Sequence, residues 1–234
     1  MASSIYAIAA LCGCMQWESG GLNPTIWESN DPQTWDTLWH RNAQGYGVGG
    51  FGLGQWTNTG SGEAMRLQRM HNWMVANNRD IYNGSDQIEY MTVEVYNGQP
   101  VGVWFNSWHT GSNAQTLGEF LTTTSTNLDG LTADFLANWE GVPNDHLSER
   151  QAFARRLLDY MRAHKDDDPS QYQWQHSSTW VLPESETFNN AMCIYFKLQG
   201  YDPGPGPGPG PGPGPTPGHK KKMPLWMYLK RPIY

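Results

Sequence analysis

The chain opens on the spacing of a helix. Apolar residues Ile5, Ile8, Leu11, Cys12 and Met15 recur three and four apart after Ser3 and Ser4, either of which can cap the first turn. This predicts a helix ending near Glu18, before Gly20-Gly21. Residues 19–62 carry clustered Gly, Asn, Pro and Trp with no sustained period, which predicts a long loop region with a short helix near Trp35–His40. Long loops inside a domain are usually functional. A second helix is expected from Gly62 to Asn77 with Met65, Met70, Trp73 and Met74 inward. A third starts at Asp86, where Asp86 and Glu89 form a capping-box pattern ahead of Ile88, Met91 and Val95. Short helical patterns follow at 113–121 and 132–140, the latter opened by Thr132 and burying Phe135, Leu136 and Trp139. The clearest helix begins at a capping box, Ser148-x-x-Gln151. It turns Phe153, Leu157, Leu158 and Met161 to one side and stops at Asp166–Asp168 and Pro169. A short hairpin at 170–183 and a helix at Glu184–Leu198 complete a mainly α domain over residues 1–201.

After Asp202 the pattern changes to strict Pro-Gly alternation and then Pro-Thr-Pro-Gly, so residues 202–218 read as a linker. Collagen is excluded, because it needs glycine at every third position. As polyproline II the stretch reaches at most about 50 Å. Residues 219–234, with Lys220-Lys221-Lys222 and then Met223, Leu225, Trp226, Tyr228, Leu229 and Tyr234, are too few to fold alone. They read either as a docking peptide for another protein or as a membrane-surface segment. Pro224 and Pro232 argue against a long amphipathic helix in both cases.

Charge and composition narrow the classes. A net charge of −7 argues against general nucleic-acid binding, which needs a basic stripe to displace counterions from phosphates. No basic residue precedes Arg41, so the run Ile5–Met15 lacks the flank of a signal peptide and is expected to be a mature helix. Nothing approaches the roughly 18 to 20 apolar residues of a membrane span. Cys12, Cys14 and Cys193 have neither disulfide-framework nor metal-site spacing and read as small buried apolar residues. The histidines also lack ligand spacing, and no metal or cofactor is expected. Twelve tryptophans exceed what a core of this size requires, so many should line a groove for sugar or a protein interface.

Cutting a glycosidic bond requires a carboxyl that is kept neutral and gives its proton to a poor leaving oxygen. Glu18 suits that role, since a helix end beside Trp17 can desolvate it while Gly20 and Gly21 let substrate approach the backbone. A cysteine nucleophile fits less well, because Cys14 lies late in its helix rather than at an N-terminus.

Three ordered segments carry a resemblance. Trp17-Glu18-Ser19-Gly20-Gly21-Leu22-Asn23-Pro24, then Gly52-Leu53-Gly54-Gln55-Trp56, then Phe135-x-x-x-Trp139-Glu140-Gly141-Val142-Pro143 with Arg150 and Ala154 resemble the phage tail lysozyme family over roughly residues 5–165. Soluble lytic transglycosylases and goose-type lysozymes are its relatives. The resemblance implies a lysozyme-like helical fold with a loop-rich cleft. It also implies cleavage of the β-1,4 bond between N-acetylmuramic acid and N-acetylglucosamine, from a virion tail acting on the host wall. Glu18 is then the general acid, Glu140 a second catalytic carboxylate or an ion-pair partner of Arg150 or Arg155, and Gln55, Trp56, Trp17 and Ser19 substrate contacts. Glu28, Asp31 and Asp36 stand beside Glu140 as candidate second carboxylates. Without such a group the substrate's own N-acetyl can assist and give a 1,6-anhydro product. The expected partners are peptidoglycan and, through the C-terminal tail, other tail proteins. The competing class is an inactive lysozyme-like tail protein. The family's opening helix, Asn-Ala-x-x-Ile-x-x-x-Leu-x-x-x-Gly-aromatic, is resembled at Asn190–Tyr201, which implies a circularly permuted domain with that helix against Ile5–Met15; the alternative is an unrelated amphipathic helix or a remnant of a duplicated copy.

Overall fold

Helix α1 (Ile5–Glu18) is buried on all sides from Ala7 to Met15, not along one stripe as its spacing predicts. Small residues explain the difference. A β-carbon at Gly13 would lie 2.7 Å from the Ala154 Cβ and 2.9 Å from the Arg150 carbonyl, so a neighbouring helix approaches α1 to backbone contact there. A helix apolar all round belongs in the middle of a domain, and here it is the axle about which the others pack. These relations come from a computed structural model that describes residues 3–27, 50–58, 64–95, 104, 114–177, 181–201 and 203. The expected helix at Trp35–His40, the carboxylates Glu28, Asp31 and Asp36, most of the Pro-Gly stretch and the tail lie outside the described residues.

Around α1 stand α2 (Arg66–Ala76), α3 (Gly84–Val93), α4 (Leu117–Leu121), α5 (Leu128–Phe135), α6 (Leu147–His164) and α7 (Glu184–Leu198). Helices α4, α5, α6 and α7 contact α1 directly; α7 also packs on α3 and α6, and α2 packs on α3. The architecture is mainly α and lysozyme-like. The described residues contain isolated β-bridges but no strand; of the stretch 170–183, where a hairpin was expected, the described residues form a 3-10 turn (Pro169–Gln171) and then chain without regular structure at 172–177 and 181–183.

Several helix starts differ from the expected ones, two because a different side chain reaches the free N–H groups and one because no side chain caps it. Asn83, not Asp86, caps α3 by accepting from Ser85 N at 2.8 Å, while Asp86 accepts from Asp80 N at 2.9 Å. Asn127, not Thr132, caps α5. Helix α6 begins with His146 in the left-handed conformation (φ 47°); Ser148 bonds Glu149, and Gln151 donates to the Asp129 carbonyl, so no capping box forms.

Helix α7 is tied to the start of α1. Ser3 Oγ donates to the Leu198 carbonyl at 3.0 Å, and Gln199 Nε2 donates to the Ser3 carbonyl at 2.7 Å. Among the described tryptophans, Trp56, Trp104, Trp139 and Trp174 are buried, Trp27 and Trp73 are half-buried, and Trp17 is 42 % exposed.

Candidate active site

Glu18 closes α1 and is 8 % exposed. The turn after it is built from three residues with positive φ, Gly20 (58°), Gly21 (90°) and Leu22 (63°), which reverse the chain sharply. Ser19 is fully buried within that turn: its Oγ donates to the Met15 carbonyl at 2.6 Å and accepts from Leu22 N at 3.1 Å. Its hydroxyl therefore caps the helix end, where a substrate contact was expected. Helix α7 and the chain before it brace the turn from outside. Leu182 N donates to the Gly20 carbonyl at 2.8 Å, Asn190 Nδ2 to the Leu22 carbonyl at 2.9 Å, and Asn23 Nδ2 to the Ser177 carbonyl at 2.9 Å.

Arg150 from α6 lies wholly buried against Glu18. Its Nη2 donates to Glu18 Oε1 and, at 3.0 Å, to Asp145 Oδ2; Nη1 donates to the Cys14 carbonyl at 2.7 Å and Nε to the Asp145 carbonyl at 2.9 Å. Burial disfavours the guanidinium charge, but Glu18, Cys14 and Glu140 outweigh it and raise the pKa, so Arg150 stays charged. Glu18 Oε2 takes no hydrogen bond from the described residues.

Two dipeptides meet here. Trp17-Glu18 ends α1, and Asp145-His146 precedes α6. Trp17 stacks on His146 with ring centroids 4.5 Å apart and planes inclined by 29°, the two rings being chain neighbours of Glu18 and Asp145. Among the described tryptophans Trp17 alone is exposed, so its place beside a buried carboxyl suits a saccharide platform.

The Gly52–Gln55 turn is a four-residue loop closed by reciprocal bonds between Phe51 and Trp56 (3.2 and 3.1 Å). Gln55 adopts a positive φ of 44° and folds its amide back, Nε2 donating to the Gly52 carbonyl at 2.9 Å. Trp56, expected to meet substrate, is a core residue: it is 0 % exposed, and its indole N–H is taken by Glu94 at 3.0 Å. Glu94 is in turn held by both Arg66 Nε (2.8 Å) and Nη2 (3.0 Å). Gly54 has no room for a side chain, since a β-carbon would stand 2.3 Å from Trp139 Cη2.

Sequence reasoning missed Gln87. Buried in α3, it accepts from Leu53 N at 2.9 Å and donates to the carbonyls of Pro24 and Ile81, each at 2.7 Å, thereby tying the chain after Glu18 to the Gly-Leu-x-Gln loop. Its motif partners lie 34 and 63 residues away, so no local spacing could reveal it. Asp145 and His146 were also passed over, because only the fold brings them to Trp17 and Glu18.

Glu140 ends a π-helical turn, Leu136–Glu140, that continues α5 and is buried throughout. Such turns often mark functional positions. Glu140 is 7 % exposed, and its charge acts on Arg150, Cys14 and Arg66; Arg150 itself bonds Glu18 and Asp145, and Arg155 bonds Asp129. Burial pushes the thiols of Cys12, Cys14 and Cys193 well above the ordinary range, which leaves no reactive thiolate.

A helical domain around a central α1, with a buried carboxyl at its end and an exposed tryptophan beside it, has the form of a lysozyme-like glycosidase. Comparison with protein families agrees: the phage tail lysozyme model matches residues 2–161, and the chain belongs to that family of lysozyme-like peptidoglycan hydrolases. No curated protein matches the sequence.

Proposed function

We propose that the protein cuts the β-1,4 bond between N-acetylmuramic acid and N-acetylglucosamine in peptidoglycan, carried on a phage tail to open the host wall during infection, with Glu18 as general acid. The observation that carries this reading is the state of Glu18. One oxygen is fixed by Arg150, the other lacks a protein partner among the described residues, and Trp17 stands next to it at the surface. A carboxyl held this way is oriented before substrate arrives, which removes the entropy cost of aiming the proton.

In this proposal Trp17 stacks on the glycan. Gln55 acts by shaping the Gly52–Gln55 turn that the strand crosses, and Glu140 contributes negative charge behind Arg150. The Asn190–Tyr201 helix takes the place of the family's opening helix, as in a circular permutation. Residues 202–218 form the spacer, and 219–234 dock the enzyme to another tail protein.

The test is turbidity loss on purified peptidoglycan with Glu18→Gln as comparison. The amide keeps the volume but has no transferable proton, so activity should fall about 10²- to 10⁴-fold with the fold intact. A well-folded variant that keeps a tenth of wild-type activity would rule out the assignment. Wild-type protein that binds walls without releasing soluble fragments would instead make this an inactive wall-binding tail protein.

A further inference from the structure

Beyond the acid, the geometry points to Asp145 as the second catalytic carboxylate, acting on the anomeric carbon in a reaction that retains configuration. This rests on the reading of Glu18 given above. Arg150 Nη2 donates to both Glu18 Oε1 and Asp145 Oδ2, and two oxygens sharing one nitrogen can stand no farther apart than two hydrogen-bond lengths, about 6 Å. Retaining glycosidases hold their carboxyls about 5 to 5.5 Å apart, whereas inverting ones need about 6.5 to 9.5 Å to admit a water between them. The shared guanidinium therefore brings the two Arg150-bound oxygens within the shorter range.

The two carboxyls differ in environment. The Glu18 side chain is 6 % exposed and the Asp145 side chain 32 %. Asp145 is thus the more open of the two to an approaching anomeric carbon. Each has one oxygen fixed on Arg150. The other Asp145 oxygen, Oδ1, lies 3.9 Å from His146 Nε2, and His146 carries the ring stacked on Trp17. A sugar resting on that aromatic pair would thus lie beside both carboxyls. Glu140 sits on a buried π-helical turn, and its charge also acts on Arg150.

The chemistry balances in two steps. Glu18 gives its proton to the departing O4 as the C1–O4 bond breaks, and Asp145 Oδ1 bonds to C1. Glu18, now a carboxylate, then takes a proton from water as the water oxygen bonds to C1 and the bond to Asp145 breaks. Both carboxyls return to their starting states with one water consumed.

The full chain is assayed on soluble glycan strands, with the anomer of the new reducing end read by NMR before mutarotation. Retention is expected from the wild type; inversion, or a 1,6-anhydro end, overturns the assignment whatever any variant does. Asp145→Asn preserves an acceptor for Arg150, so it should fold and bind strands as wild type does while losing about a hundredfold or more in kcat. Azide should restore turnover to Asp145→Ala with formation of a glycosyl azide, an effect that a purely structural role does not produce. A folded Asp145→Asn with more than a third of wild-type activity refutes the role of Asp145. If Glu18→Gln is inactive in the same assay, only this inference fails; if Glu18→Gln is active, the reading of the acid has failed first.

Discussion

Arg150 donates to the Oε1 of Glu18 from a position with no solvent exposure, across 132 residues of sequence. The pair has no water to fall back on. Removing one partner of a buried ion pair leaves the other desolvated and uncompensated, which costs about 3 to 5 kcal/mol, whereas replacing both with apolar groups costs much less. Arg150→Met should therefore lower unfolding stability by about that amount, and adding Glu18→Leu should recover part of it. Recovery will be incomplete, because the Cys14 carbonyl and Asp145 also lose their donor. Urea unfolding of the two variants measures this; equal stabilities for Arg150→Met and wild type would contradict it.

Gln87 joins the two motif loops with three hydrogen bonds inside the core. Gln87→Met keeps the length of the side chain and leaves the Leu53 amide and the Pro24 and Ile81 carbonyls without that partner. Each buried unsatisfied group costs about 1 to 3 kcal/mol, so a loss of about 3 kcal/mol or more is expected. Activity should fall further than the folded fraction does, because the loops lose their mutual position. Activity per folded molecule equal to wild type would show that Gln87 serves stability alone.

Helix α7 lies outside the segment matched by the family, yet it braces the turn after Glu18. A chain ending at Pro183 loses the Asn190–Leu22 bond and exposes the faces that Ala191, Met192, Ile194 and Phe196 cover. At about 1.5 to 3 kcal/mol for each large apolar side chain, that loss is comparable with the whole stability margin of a typical domain. This truncation should be insoluble or inactive, while one ending at Tyr201 should remain soluble and lytic but no longer co-purify with particles. Sedimentation and turbidity assays on both decide the point.

His176 adjoins Ser177, the residue that anchors Asn23. Burial lowers its pKa below the ordinary 6.5, with the charge of Asp80 opposing, and its Nδ1 is buried without a hydrogen-bond partner among the described residues. The unfolded chain thus binds a proton at higher pH than the folded one. Its contribution to stability is fully present above about pH 6.5 and is lost as pH falls through the lower folded value. The melting temperature should fall from pH 7 toward about pH 5, and His176→Gln should flatten that slope. A slope unchanged by the substitution would contradict this account.

The helices were legible because their apolar spacing is local. Phe153, Leu157, Leu158 and Met161 announce α6 within nine residues, and the Trp-Glu-Ser-Gly-Gly segment announces a helix end with a turn behind it. Helix starts were less legible, since Asn83 and Asp86 are equally able to cap and only the surrounding chain decides which carboxyl or amide reaches the free N–H groups. The tryptophans were the least legible. An indole has an apolar body and a polar tip, so the same residue type serves as a core wedge at Trp56, where Glu94 satisfies the N–H, and as a surface ring at Trp17.

By itself the sequence determined the helical class, the position of Glu18 at a helix end and the order of the three motifs, all of which depend on neighbours a few residues apart. Only the tertiary structure decided which groups share the site. Gly13 lets α6 approach α1 to backbone contact, and that approach carries Arg150 to Glu18 and Asp145 to the same guanidinium. The physical reason is that a buried polar group must find its partner wherever the packed chain supplies one. Partners more than a hundred residues apart leave no periodicity to read.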